Sequence, residues 1–204
     1  NIVLEFHSNC TKFTNKLMNK LNQFRELRIN ASIDSIYKNY DYMRYPMTWD
    51  KLSNSLHNYL DKNQRPGTIS FNPVLTALNA HSILDLYHYE LTLAAKYRRQ
   101  ELLWVLWIDL LWPEDKYINI KFLPQHIKKD LIQLYTEINA KLVLDFSCNI
   151  DNIIAFLNQH LELEITEQHR VNMLREITAF DKSRDQCYND YLHPSIIEFL
   201  ENPL

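Results

Sequence analysis

Asn9, Ser32, Asp34 and Asn79 stand where apolar stretches stop, and Arg44 lies in an aromatic, charged segment between them. The segment from Arg28 to Ser35 reads as a short buried strand that ends in a polar cluster, Ser32-Ile33-Asp34-Ser35. Polar strand ends are where α/β proteins contact their ligands. A carboxylate such as Asp34 can accept both hydroxyls of a ribose, and Ser32 can add a hydroxyl contact. Arg44 offers a planar guanidinium fork for a carboxylate. The ligand this set implies is nucleotide-like. Each residue also has a plainer reading. Ser32 and Asp34 can cap the following turn. Arg44 can stack on its tyrosine neighbours or pair with Asp41. Asn79 can cap the next helix. Asp109, inside an apolar run, can face the same rim or make a salt bridge, and receives no role.

Composition narrows the classes. The chain has 204 residues, 46% hydrophobic and 23% charged, enough to bury the core of one domain or slightly more. A net charge of -3 supplies no basic field for nucleic acid. The longest apolar run, from Leu102 to Trp112, is interrupted by Asp109 and falls short of a membrane span. Cysteine occurs three times, at Cys10, Cys148 and Cys187, an odd number that argues against a disulfide framework and for a reducing, cytoplasmic setting. Gly67 is the one glycine, which excludes the glycine-rich phosphate loops. His81 and His88 are seven apart on one predicted helix, but a metal site would need further ligands, so no metal ligand is assigned. Trp104, Trp107 and Trp112 read as packing residues. The chain opens on Asn1 and enters an apolar strand at once, which gives the expectation of a fragment whose natural start is missing.

The elements that must position these residues follow from periodicity. A strand over 2–6, a helix through about 25 with Phe13, Leu17, Leu21 and Phe24 at helical spacing, and the strand at 28–34 make a β-α-β unit. Residues 37–46 read as an aromatic connection. Thr48 starts a helix with Trp49, Leu52, Leu56 and Leu60 as its buried stripe. A strand over 68–75, with Pro73 at an edge or bulge, a helix over 81–99 and a fully buried strand over 102–110 continue the alternation. This pattern predicts an α/β fold with parallel strands and right-handed crossovers. After Pro113 the pattern turns helical, with helices near 124–142, 149–159, 166–180 and 194–200. The expected division is an α/β part over 1–113 and a helical region over 114–204.

An ordered series of these residues resembles a known family. Ser8-Asn9-Cys10-Thr11, Ser32-Ile33-Asp34-Ser35, Tyr42-Met43-Arg44-Tyr45-Pro46 with Trp49, and Asn79 look like the later strand ends of a radical SAM protein of the SPASM/Twitch-type branch. Phe180-Asp181-Lys182-Ser183-Arg184 is similar to the D-K-x-R segment near the C-terminus of Twitch members. The resemblance implies the later strands of a partial (β/α)6 barrel, a partial TIM barrel, followed by a helical C-terminal region. It implies S-adenosylmethionine as cofactor, with Asn9, Ser32, Asp34, Arg44 and Asn79 as binding residues and Arg44 on the methionyl carboxylate. The full protein would use a [4Fe-4S] iron–sulfur cluster to generate a 5′-deoxyadenosyl radical that abstracts hydrogen from a substrate, with a peptide or protein as the candidate. Two departures matter. The cluster loop C-x-x-x-C-x-x-C is absent, so this chain alone is expected to be inactive, with no catalytic residue assigned. Cys10 stands where the family's turn has glycine. The alternative expectation is a non-catalytic α/β interaction or scaffold protein with a degenerate barrel.

Overall fold

The structure, a computed structural model, describes residues 1–97, 102–111, 116–141 and 146–203. Arg99, Trp112, Pro113 and Leu142 lie outside the described residues, as does the side chain of Cys148. The chain divides into two compact units that interleave along the sequence rather than meeting at one cut. The first comprises Asn1–Pro73, Asp85–Ile108 and Val143–Cys148; the second comprises Val74–Leu84, Asp109–Leu142 and Asn149–Leu204.

In chain order the elements are β1 (Val3–Ser8), α1 (Asn15–Leu21), β2 (Glu26–Ala31), α2 (Tyr37–Met43), α3 (Trp49–Lys62), β3 (Gly67–Phe71), β4 (Val74–Leu75), α4 (Ile83–Lys96), β5 (Leu102–Leu106), β6 (Asp109–Leu110), α5 (Gln125–Ala140), β7 (Phe146–Cys148), α6 (Ile150–Gln159), α7 (Glu167–Arg184) and α8 (Pro194–Glu201). The first unit holds a five-stranded sheet in the order β1-β2-β3-β5-β7, every pairing parallel. Strands that follow one another in space as in sequence, joined by right-handed crossovers, set their connecting helices on one face. That face is apolar: Leu27, Ile29, Ala31, Ile69, Phe71 and Leu106 are all fully buried. The fold is therefore α/β with a parallel sheet. No helix among the described residues is long and apolar enough to cross a membrane.

Several elements depart from the periodicity. The 68–75 and 102–110 strands each break into two, β3 with β4 and β5 with β6, and the short pieces pair with each other in the second unit. Pro73 is the physical cause in the first case, because it has no N–H to donate to a ladder. Residues 37–43 form a helix rather than a connection; its buried side chains are Tyr40 and Tyr42, so an aromatic run hid an apolar face. Thr14 caps α1 by accepting from the Leu17 N–H at 3.3 Å. Thr48 makes no side-chain cap; the Asp41 carboxylate accepts from the Trp49 N–H instead. Asn79 opens a short 3₁₀ turn over Ala80–Ser82 without a side-chain cap, and α4 begins only at Ile83. The expected helical region over 114–204 is mostly helical, but β7 within it supplies the sheet's fifth strand.

The core of the first unit contains a conflict. Glu90 on α4 is fully buried, and neither carboxylate oxygen has a hydrogen-bond partner. Burial pushes its carboxyl well above the ordinary value of 4.5. A raised folded-state value means that the native protein keeps a proton the unfolded chain has lost. Stability is thus greatest below the unfolded carboxyl's range and falls as pH rises through the folded one. Glu90→Leu is expected to raise stability by about 1–2 kcal/mol, since an apolar residue ends the cost of an unpartnered buried acid. Urea unfolding at about pH 5 and about pH 8 checks both points: the wild type loses stability at the higher pH and Glu90→Leu loses less. Equal loss in both proteins would refute the assignment.

Candidate functional site

The opposite face of the sheet in the first unit is polar, and the sheet register shows how. Glu5 pairs with Arg28 and Arg28 with Thr68; His7 pairs with Asn30 and Asn30 with Ser70. In a parallel sheet, side chains two apart share a face. The alternating runs Glu5-x-His7-x-Asn9, Arg28-x-Asn30-x-Ser32 and Thr68-x-Ser70-x-Asn72 therefore stack in rows across three strands. Glu5, His7 and Arg28 are exposed and Asn30 is half-buried, the reverse of the opposite face. Asn30 Nδ2 donates to Glu5 Oε1 at 3.4 Å, and Arg28 Nε donates to Glu26 Oε1 at 2.7 Å.

The last row lies at the C-terminal rim. Ser8 aligns with Ala31, Ala31 with Phe71 and Phe71 with Leu106, so Asn9, Ser32, Asn72 and Trp107 are the first residues past the aligned ends of four strands. The ladder reaches into this row: Ser32 N–H donates to Ser8 O at 2.9 Å, Asn72 N–H to Ala31 O at 2.8 Å, and Trp107 N–H to Phe71 O at 2.8 Å. Its chemistry is mixed. Asn9 Oδ1 accepts from the Thr11 hydroxyl at 2.9 Å. Asn72 Oδ1 is buried and has no hydrogen-bond partner among the described residues. Trp107 is 44% exposed although its neighbours in β5 are apolar. A hydroxyl, two amides and an open indole can together hold a planar, hydrogen-bonding ligand: bases stack on aromatic faces, and an unmet acceptor invites a donor.

Of the residues expected at this site, Asn9 and Ser32 belong to the rim row. Asp34 lies two residues beyond Ser32 and is 5% exposed. The Arg44 guanidinium forms an ion pair with the Asp34 carboxylate. The two side chains thus meet each other, while Asp41, the other acid considered for Arg44, caps α3. Asn79 is in the second unit. Its Oδ1 accepts from the Thr76 N–H at 2.8 Å and the Thr76 hydroxyl at 3.1 Å, and its Nδ2 donates to Val74 O at 2.9 Å. It closes the loop after β4. Asn72 and the rows beneath it carry no role in the sequence reading, and Trp107, expected to pack, is exposed where Trp104 is buried. The signal was present as period-2 polar alternation in three successive strands, obscured because parallel strands are expected to be apolar on both faces.

The donor set does not suit an iron–sulfur cluster. Cluster ligands are thiolates close together in space. Cys10 is buried, and burial pushes its thiol up to about 12, so it stays protonated. Cys10 and the exposed Cys187 are free cysteines. Among the described residues no group of three or more His, Cys, Asp or Glu side chains could hold a metal ion. Cys10 also adopts φ 57°, a left-handed conformation that glycine takes at least cost. Neither protein-family models, nor curated proteins, nor solved structures yield a match to this chain.

Proposed function

We propose that the first unit is the wall of an open (β/α) barrel of the radical SAM kind, and that its rim row binds S-adenosylmethionine. The observation behind this reading is the last row of the polar face, Asn9-Ser32-Asn72-Trp107, at the C-terminal ends of parallel strands. Strands kept in chain order suit a barrel wall; a doubly wound sheet reverses its order at a switch point. The left-handed Cys10 occupies the place where the resemblance has glycine, which supports the same reading. In this reading Trp107 stacks on the adenine and Asn72 Oδ1 accepts from an amino group. Asn9 and Ser32 take ribose hydroxyls, and the Asp34–Arg44 pair fixes the loop beside them. Asn79 orders a loop of the second unit. In proteins of this kind a [4Fe-4S] cluster supplies the electron that splits the cofactor. The cysteines of this chain do not form that ligand set, so the step lies outside these residues. A cytoplasmic setting, with a peptide as substrate, belongs to the same proposal.

Calorimetric titration with S-adenosylmethionine tests it. The wild type is expected to bind. Trp107→Ala is expected to weaken binding about tenfold, within the range for loss of one base–aromatic stack. Asn9→Ala, at an exposed position, is expected to weaken it about fivefold without changing thermal stability. No binding by the wild type would leave the second reading, a non-catalytic scaffold. That reading is favoured by one observation, the Asp34–Arg44 pair, in which both expected ligand-binding charges are already matched.

A further inference from the structure

The first unit has a surface cavity built on α4 and the loop after β2. Asp85, His88, Tyr89 and Thr92 recur at i, i+3, i+4 and i+7, which places them along one stripe of the helix. With Ile36 and Tyr37 they line a surface cavity of about 360 Å³. The loop after β2 supplies the opposite wall in an unusual way. Tyr37 has φ 51°, a conformation rare for a bulky side chain, and its ring is 61% exposed. Its ring meets Trp49 edge-on at 5.5 Å, and Tyr89 meets the same indole edge-on at 4.9 Å. One buried tryptophan therefore braces both tyrosines. Ser53 Oγ lies 3.4 Å from the Tyr89 hydroxyl and steadies that ring further.

The acid of this cavity, Asp85, lies in the first turn of α4, and His88 shares the lining. Asp85 is exposed and makes no ion pair or hydrogen bond among the described residues. Lys38, next to Tyr37, makes no ion pair with it either. A carboxylate set among aromatic rings, with no cation of its own, is complementary to a weakly hydrated organic cation. The rings offer their negative faces and the acid offers the counter-charge. A neutral or anionic ligand would gain from only part of this lining. We propose that the cavity formed by Tyr37, Tyr89 and Asp85 binds an alkylammonium group, borne by a small amine or by a lysine side chain. This site does not depend on the reading of the rim row: none of its lining residues belongs to that row.

Amide chemical-shift mapping on the whole chain tests the proposal, with n-butylammonium as probe and n-butanol as its neutral counterpart. The expected result is a saturable shift of the Tyr37, His88 and Tyr89 amides with n-butylammonium at millimolar concentrations and none with n-butanol. Asp85→Asn is expected to weaken binding about fivefold, Tyr37→Ala by a similar factor, and Asp85→Glu to retain it. The amide fingerprint of each variant verifies its fold, so a misfolded Asp85→Asn leaves Tyr37→Ala and Asp85→Glu to decide. A lysine-containing peptide that binds more tightly than n-butylammonium identifies a peptide source; equal affinity identifies a small amine. Equal shifts with n-butanol, or an affinity unchanged in both Asp85→Asn and Tyr37→Ala, overturn the proposal.

Discussion

Gly67→Ala is expected to cost about 4 kcal/mol, the largest loss among the substitutions considered, and to open the sheet between β2 and β3. Gly67 is the first residue of β3 and has φ 151°, a region that side chains of L-residues rarely enter. The added methyl carbon would lie 1.6 Å from the carbonyl oxygen of Leu27, far inside contact distance, and 2.6 Å from its carbonyl carbon. Leu27 is backbone in the middle of the unit. Its N–H donates to Pro66 O at 3.0 Å, and its side chain is fully buried. Neither strand can yield without losing a ladder bond, so strain and lost pairing add together. Thr68→Ala, one position along the same strand, is expected to cost under about 1 kcal/mol, because it removes only a half-buried side chain. Urea unfolding followed by circular dichroism compares them. Similar midpoints for the two variants would show that β3 tolerates a side chain at its start.

The second large effect concerns the Asp34–Arg44 pair. Asp34's side chain is 7% exposed and Arg44's is 31% exposed, so the two ends of the bond are unequally desolvated. Arg44→Met removes the cation and leaves a buried carboxylate, with an expected loss of about 3 kcal/mol. Asp34→Asn leaves a guanidinium that water reaches in part, and the expected loss is about 1–2 kcal/mol. The double variant is expected to lose less than the sum, with a coupling of about 1–2 kcal/mol, because the two residues share one interaction. Losses that simply add in a thermal or urea double-mutant cycle would show that the pair is incidental. The cycle also bears on function. If the pair fixes the loop after β2, Arg44→Met and Asp34→Asn should weaken S-adenosylmethionine binding together; a drop for Asp34→Asn alone would make Asp34 a direct contact.

The helices were legible where apolar residues repeat cleanly. In α3, Trp49, Leu52, Leu56 and Leu60 fall at helical spacing and are all buried in the structure. In α7 the spacing located the helix but not its buried side: Met173 and Ile177 are buried, while Val171, Leu174 and Phe180 are half-buried. The method failed at α2, whose inward side chains are tyrosines that read as surface. It also failed at β4 and β6, two-residue pieces too short to show any period. The polar alternation of β1, β2 and β3 was visible in the letters. Polarity on one face of a single strand acquires meaning only when neighbouring strands align it into rows.

Composition and local order by themselves determined the α/β class. Alternating strand and helix periods require a sheet with crossovers. Tertiary structure alone decided which polar residues meet. Ser32 and Asn72 are forty positions apart, yet the register of β2 on β3 makes them neighbours, while Asp34 and Arg44 close on each other and Asn79 serves a loop of another unit. The reason is that periodicity fixes only the direction of a side chain relative to its own strand or helix. Which partner it finds depends on register and on crossovers tens of residues long, and those are settled by burying apolar surface over the whole unit.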